Sequence, residues 1–268
     1  VINTSWLGGA LVTASALACA SMALAAEPAQ QPGVAPGTDV IIELGLGGRI
    51  APAYDGSSDY ELKPFPIIRP RYVHVPGLFE VGGRKGEGFS VGPSFGYTGE
   101  RNSDDYGDLL GLRDVDPTYE AGLRVGYGWD YAEVYAKGRY AFGGAHGLVG
   151  EVGANAILRP MERLELKAGP VVSFAAEGYM DEYFGVTPAE AAATAGRLQA
   201  YDADGGVKSV GLAMAARYEF RPDWFVEAEA SYSRLVADAA DSPIVDVGSE
   251  DQFTVGLGVS RRFTLDLF

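Results

Sequence analysis

The chain has 268 residues, with 21 Lys and Arg against 36 Asp and Glu, a formal net charge of -15, one Cys and two His. One thiol excludes a disulfide framework, one Cys with two His leaves too few ligands for a zinc finger or ribbon, and the acidic balance argues against nucleic acid as a partner. A mean hydropathy near zero fits an ordinary soluble protein, but it also fits a transmembrane barrel, whose lipid-facing and interior residues average out.

From Trp6 to Ala26 no residue is charged, and Ala23-Leu24-Ala25 is a small-x-small site. Residues 1–25 are therefore expected to be a secretory signal peptide cut after Ala25, read by Sec-type export. A membrane-anchoring helix is the alternative, disfavoured by the Ala, Gly and Ser content. Ala16-Leu17-Ala18-Cys19 makes a poor lipoprotein box. Removal of the signal takes the only Cys with it, which suits an oxidising compartment. Residues 26–39 carry Pro28, Pro32 and Pro36 and read as a Pro-rich periplasmic linker.

After the linker the hydrophobic period is two, which puts successive side chains on opposite faces of a strand. In 131–142, Val134, Ala136, Tyr140 and Phe142 share one face while Glu133, Tyr135, Lys137 and Arg139 share the other. The same split separates Tyr119, Leu123 and Tyr127 from Glu120 and Arg124, Leu164 and Leu166 from Glu165 and Lys167, and Trp224 and Val226 from Glu227 and Glu229. A soluble sandwich also alternates, but its two inner faces would be bulky and densely packed. Here the charged face is rich in Gly, and the apolar face is rich in Ala and ends in aromatics. That pattern points to an all-β, transmembrane antiparallel β-barrel with lipid outside and a polar interior.

Connections near 129–130, 159–163 and 221–223 are tight, as periplasmic turns are, whereas 55–61, 100–117, 143–147, 176–206 and 237–251 are longer or acidic. The alternation predicts about ten strands over 40–54, 62–83, 88–98, 118–128, 131–142, 148–158, 163–175, 207–220, 224–235 and 252–263, with both termini periplasmic. Splitting 62–83 at Val75-Pro76-Gly77 would give eleven and break the alternation of sides, so twelve is the alternative. Arg69 and Arg71 share the parity of Phe65 and Ile67, so a bulge or phase switch near Pro70 is expected to turn them inward. Phe263 is in phase with the lipid face of the last strand, and 264–268 reads as a short tail. The barrel domain is thus 40–263.

The inward rows predict a lumen charge network of Glu120, Arg124, Glu133, Lys137, Arg139, Glu165, Lys167, Arg217, Glu219, Glu227 and Glu229. It reads either as an interlocked filler of a narrow barrel or as the lining of a selective pore for small solutes. Catalysis would have to use His74 or His146, and His146 lies in the exposed tip Gly144-Ala145-His146-Gly147, where solvation is the plainer role. Asp104, Asp105, Asp108, Asp114 and Asp116 lack the spacing of a calcium hand. No catalytic residue, cofactor or metal is expected. A surface-loop enzyme remains the least favoured class.

Several stretches resemble the MipA/OmpV family of Gram-negative outer-membrane proteins. They are Gly45-x-Gly47, Pro52-Ala53-Tyr54-Asp55-Gly56-Ser57, Pro64-Phe65-Pro66, Tyr119-Glu120-x-Gly122 and Tyr183-Phe184-Gly185-Val186. The most specific is Tyr232-Ser233-Arg234-Leu235 leading into Asp238-Ala239-Ala240-Asp241-Ser242-Pro243-Ile244-Val245. The resemblance covers about 40–263. It implies a cell outer-membrane barrel, in contact with lipid, lipopolysaccharide and the barrel-assembly machinery. It also implies a scaffold that binds a murein lytic transglycosylase and joins it to a peptidoglycan synthase, and it supplies no catalytic residues. With short turns in the periplasm, the linker and the turns at Asp130, Met161 and Asp223 become the expected contact surface.

Overall fold

The computed structural model describes residues 38–75, 79–82 and 88–267. The expected signal segment, nearly all of the linker, and Phe268 lie outside the described residues. The alternating segments form β1 (Val40–Pro52), β2 (Tyr60–Val75), β3 (Phe79–Gly82), β4 (Gly88–Thr98), β5 (Thr118–Gly128) and β6 (Ala132–Gly143). They continue as β7 (Gly147–Met161), β8 (Leu164–Ala175), β9 (Gly206–Arg221), β10 (Trp224–Leu235) and β11 (Asp251–Leu265).

All ladders are antiparallel, and the first strand pairs with the last, Val40 opposite Leu265 and Ile50 opposite Val255. The sheet order is β3-β2-β1-β11-β10-β9-β8-β7-β6-β5-β4. β3 lies against β4, which brings the two edges of the sheet together as a near-closed, ten-strand barrel; among the described residues no ladder joins β4 to β2 or β3. The single strand expected over 62–83 is instead β2 and a four-residue return, with Val75 opposite Phe79 and Tyr72 opposite Gly82. Because β3 is only an appendage to β2, the ten long strands keep alternating in direction and no twelfth is needed. The last strand runs to Leu265, two residues into the expected tail.

The expected irregularity near Pro70 is a β-bulge. The ladder passes from Ile41 opposite Tyr72 to Ile42 opposite Pro70, leaving Arg71 as the extra residue. Neither Arg69 nor Arg71 depends on it, since both share the inward parity of Phe65 and Ile67. Ile67 is 3% exposed and Phe65 lies over Gly47, both on the inner face, while Leu62 and Ile68 are 75% and 62% exposed. The lipid face of β2 is the row Leu62, Pro64, Pro66, Ile68; with apolar side chains on both faces, the phase of this strand is hidden in the sequence.

Outward side chains form an apolar belt that includes Leu46, Phe95, Leu123, Leu148 and Leu257, the surface that hydrocarbon requires. Aromatics rim it at both ends. Tyr97, Tyr119 and Phe142 stack in a row at the long-loop rim, and Tyr127–Trp129 and Phe220–Trp224 pair at the short-turn rim. Small residues let the strands approach inside: a Cβ on Gly169 would lie 1.8 Å from the Ala154 carbonyl oxygen.

The long loops fold into a dome with its own apolar core. Helix α1 (Glu177–Phe184) buries Tyr179, Met180, Tyr183 and Phe184, and α3 (Pro243–Asp246) buries Ile244 and Val245. The α1 side chains and Val245 meet Val115, Ala141, Ala145 and Leu235 in one cluster, and Tyr54, Leu109, Leu112, Val186 and Leu198 join Ile244 in a second. Helix α2 (Pro188–Ala193) starts in a capping box between Thr187 and Glu190.

Candidate functional site

The lumen charges sort into bands held by neighbouring strands. Nearest the dome, Arg139 donates from Nε to Glu120 Oε2 at 2.6 Å and from Nη1 to Ser94 Oγ at 3.3 Å. Below it Lys137 donates to Glu151 at 2.7 Å, and the Tyr135 hydroxyl donates to the same carboxylate at 2.8 Å. Glu133 holds Arg124 and Lys167, each at 3.3 Å, and accepts from Asn155 at 2.9 Å. Glu165 pairs with Arg159 at 3.0 Å and with Lys167 at 3.8 Å.

The densest band lies at the short-turn end. Glu43, with no exposed surface, meets Arg71 at 3.0 Å, Arg217, and Arg262 at 3.5 Å. Glu227 pairs with Arg69 and, at 3.7 Å, with Arg217, and accepts from the Ser260 hydroxyl at 2.9 Å. The Arg217 and Arg262 guanidinium carbons stand 3.5 and 4.8 Å from the ring centroid of Phe225, which is buried beneath them. Arg69, Arg71, Arg217, Phe225 and Glu227 all stand on the inward parity of their strands.

At the other end a bulge turns a cation inward against the parity of its strand. Between β8 and β9 the ladder steps from Ser173 opposite Ser209 to Phe174 opposite Val207, so Lys208 is the extra residue. Its ammonium donates to Asp55 at 2.6 Å and stands 5.3 Å from the Tyr179 ring, joining the β1–β2 loop to α1. Above it Arg101, nearly buried, donates to the Tyr183 carbonyl at 2.9 Å, and Ser242 donates to the Phe184 carbonyl at 2.6 Å. These groups satisfy carbonyls at the C-terminus of α1 that its own ladder leaves open. Arg113 bridges Glu182 at 3.1 Å and Glu190 at 3.0 Å. Burial pushes the Glu190 carboxyl up, but hydrogen bonds from Thr187 and from the Arg113 backbone, with the Arg113 charge, outweigh it and hold the group below its ordinary range. The Tyr106 phenol is pushed up to about 12 by burial and by its hydrogen bond to Glu61.

Of the residues expected in the network, Glu120, Arg124, Glu133, Lys137, Arg139, Glu165, Lys167, Arg217 and Glu227 stand in these bands. Glu219 instead accepts the Asp223 backbone N–H at 2.9 Å and closes the β9–β10 turn. Glu229 lines a lumen cavity and has no partner among the described residues. Glu43, Glu151 and Arg262 complete the bands, and each stands on the inward parity of its strand, where alternation alone marks it. Asp130, Met161 and Asp223 all lie at the short-turn end: the Asp130 carbonyl accepts from Arg159, Met161 is exposed, and Asp223 adopts a left-handed φ of 64° and pairs with Arg262 at 3.5 Å. His146 is exposed at its hairpin tip beside Gly178. Asp114 accepts from Ser103 within the acidic loop, and among the described residues no group of three or more His, Cys, Asp or Glu could hold a metal ion.

The long-loop end is thus covered by packed loops, and the lumen beneath is crossed by paired charges. The family described as MltA-interacting protein MipA matches residues 44–263. Outer membrane protein Omp26La of Vibrio anguillarum is 36% identical over 92 residues, and outer membrane protein OmpV of Vibrio cholerae serotype O1 is 37% identical over 92 residues. Each of these matches spans 34% of this chain and 34% of the relative. Among solved structures, the NanC porin aligns over 83% of this chain and 98% of its own at 8% identity and a TM-score of 0.35. The N-terminal β-barrel domain of Pseudomonas aeruginosa OprF aligns over 67% of this chain and 100% of its own at 14% identity and a TM-score of 0.29. The family match runs from within the first strand to within the last, and the chain therefore belongs to the MltA-interacting protein MipA family as an outer-membrane β-barrel protein.

Proposed function

We propose that this chain is a closed, non-catalytic scaffold that presents its short-turn end to a periplasmic murein lytic transglycosylase and, through it, to a peptidoglycan synthase. The observation that carries this reading is closure. Glu43 is locked by three arginines at the short-turn end, and the other end is filled by the packed side chains of α1 and α3. A barrel closed in this way works through its surfaces. The family description supports the partner class, since it names an MltA-interacting protein.

In outer-membrane barrels the short turns face the periplasm, so the contact surface comprises the turns at Asp130, Met161 and Asp223 with the linker before β1. The test is a pull-down of the transglycosylase by the full chain, by a variant lacking residues 28–38, and by turn variants such as Met161→Glu and Asp223→Lys. Binding should fall in the altered proteins. Undiminished binding in all of them contradicts the assignment. In planar bilayers the same protein should be silent; steady discrete conductance would favour a narrow solute channel instead.

A further inference from the structure

The outer wall carries two cations at its short-turn rim that the lumen network does not use. β11 turns Phe253, Val255, Leu257 and Val259 outward, and its ladders with β1 and β10 pass Arg261 without a bulge, so Arg261 falls on that lipid-facing row. At the end of β9 the ladder steps from Glu219 opposite Phe225 to Arg221 opposite Trp224, leaving Phe220 as the extra residue. Residues directly opposite one another share a face of the sheet. The bulge therefore turns Arg221 outward beside Trp224, against the parity of the inward Arg217.

Arg221, Trp224 and Arg261 thus stand in one row across β9, β10 and β11, and all three are exposed. With strands about 4.8 Å apart, the two arginine Cα atoms are roughly 10 Å apart, with the tryptophan between them. The Arg261 guanidinium carbon lies 5.4 Å from the Trp224 ring centroid and 5.1 Å from that of Phe263. Among the described residues neither Arg221 nor Arg261 makes a hydrogen bond or an ion pair. The carboxylates of the adjoining turn are engaged elsewhere, Asp223 with Arg262 at 3.5 Å and Glu219 with the Asp223 backbone N–H at 2.9 Å.

We propose that Arg221 and Arg261 bind the phosphodiester groups of anionic phospholipids in the periplasmic leaflet, with Trp224 and Phe263 seated beside them at the membrane surface. Tryptophan at a barrel rim marks the membrane–water interface, which puts both guanidinium groups at the depth of the lipid phosphates. Cation–π contact steadies Arg261 at the two rings without consuming its N–H donors, and an Arg fork matches a phosphate in bidentate geometry. A chain with a net charge of -15 repels an anionic bilayer as a whole, so enrichment of anionic lipid beside Trp224 requires a local site. The inference goes beyond the scaffold reading and does not rest on it.

The test is fluorescence quenching in the full chain carrying Trp6→Phe and Trp129→Phe, which leaves Trp224 as its one tryptophan. The protein is reconstituted into phosphatidylcholine vesicles with graded fractions of either acyl-brominated phosphatidylglycerol or acyl-brominated phosphatidylcholine. Phosphatidylglycerol should associate beside Trp224 at least about five-fold more strongly than phosphatidylcholine, the factor expected for one arginine at a lipid surface. Arg221→Gln and Arg261→Gln together should bring that ratio to near unity, whereas Arg234→Gln, which removes an exposed arginine paired with Glu250 and Asp251 at the long-loop end, should leave it unchanged. Heat-modifiable gel mobility establishes that each variant is a folded barrel; where the double variant is not, Arg261→Gln alone should at least halve the ratio. A parent ratio near unity, a ratio that survives the loss of both arginines, or an equal fall in Arg234→Gln overturns the proposal. Inorganic phosphate in millimolar excess should not displace the lipid; displacement would make this a site for the free anion and overturn the lipid assignment.

Discussion

Glu43→Gln is the sharpest perturbation of the lumen. The substitution keeps the shape of the side chain and removes the charge that Arg71, Arg217 and Arg262 share. Removing one partner of a buried ion pair costs roughly 3–5 kcal/mol, because the other charge stays buried without compensation. The Arg71 and Arg262 side chains retain 43% and 32% exposure, so water screens much of their loss. The cost concentrates on Arg217, at 23% exposure, and the expected destabilisation is the lower end, about 3 kcal/mol. In reversible urea unfolding from lipid vesicles, with a slope near 3 kcal/mol/M, the midpoint should fall by about 1 M. A cycle with Arg217→Met should show a coupling of about 1–3 kcal/mol. Glu229→Gln, which removes a carboxylate without a partner among the described residues, should cost no more than about 0.5 kcal/mol in the same assay. Equal effects at positions 43 and 229, or a Glu43→Gln loss below about 1 kcal/mol, would refute the claim that paired charges lock the lumen.

Three further outcomes follow from the dome and the belt. Phe184→Ala removes a side chain with no exposed surface, at a cost of about 3–5 kcal/mol; limited proteolysis should open the 176–205 loop while the barrel keeps its heat-modifiable mobility, and unchanged protection would contradict a packed dome. The Glu190 carboxyl is held below its ordinary value of 4.5, so its stabilisation of the dome is complete above that value and is lost as pH falls through the lower, folded one. Acid proteolysis of the same loop should therefore accelerate below pH 4.5, and Glu190→Gln should flatten that dependence; an accelerating profile in the variant as steep as in the parent counts against the assignment. Leu46→Arg, on the lipid face of β1 at 74% exposure, should lower barrel stability in vesicles by about 2–4 kcal/mol, and a neutral result would place that face out of hydrocarbon.

The legibility of this chain varied with how cleanly one face was marked. In β5 and β6 every charge falls on one parity and every large apolar or aromatic group except Tyr135 on the other, so strand, phase and lumen face can all be read directly. β2 hid its phase because Phe65 and Ile67 face inward while the prolines and Leu62 face out. Lys208 reaches the interior from a bulge, and a one-residue insertion leaves no trace in composition or period. The dome was missed although its signal was present. Tyr179, Met180, Tyr183 and Phe184 have the spacing of one helical face, but in a long acidic loop that run is short enough to pass for surface. The motif leading into Pro243-Ile244-Val245 is in sequence only a pattern, and its role as the apolar keystone beside α1 emerges from the fold.

The central claim is that each strand turns one row of side chains to hydrocarbon and the other to the lumen. Nitroxides placed singly along β5 from Tyr119 to Tyr127, in protein reconstituted into lipid vesicles, test it most directly through their accessibility to dissolved oxygen. The account predicts a period-two profile, with maxima at Tyr119, Ala121, Leu123, Val125 and Tyr127 and minima at Glu120, Gly122, Arg124 and Gly126. A profile without that alternation, or one with its maxima on the Glu120 and Arg124 row, would contradict it.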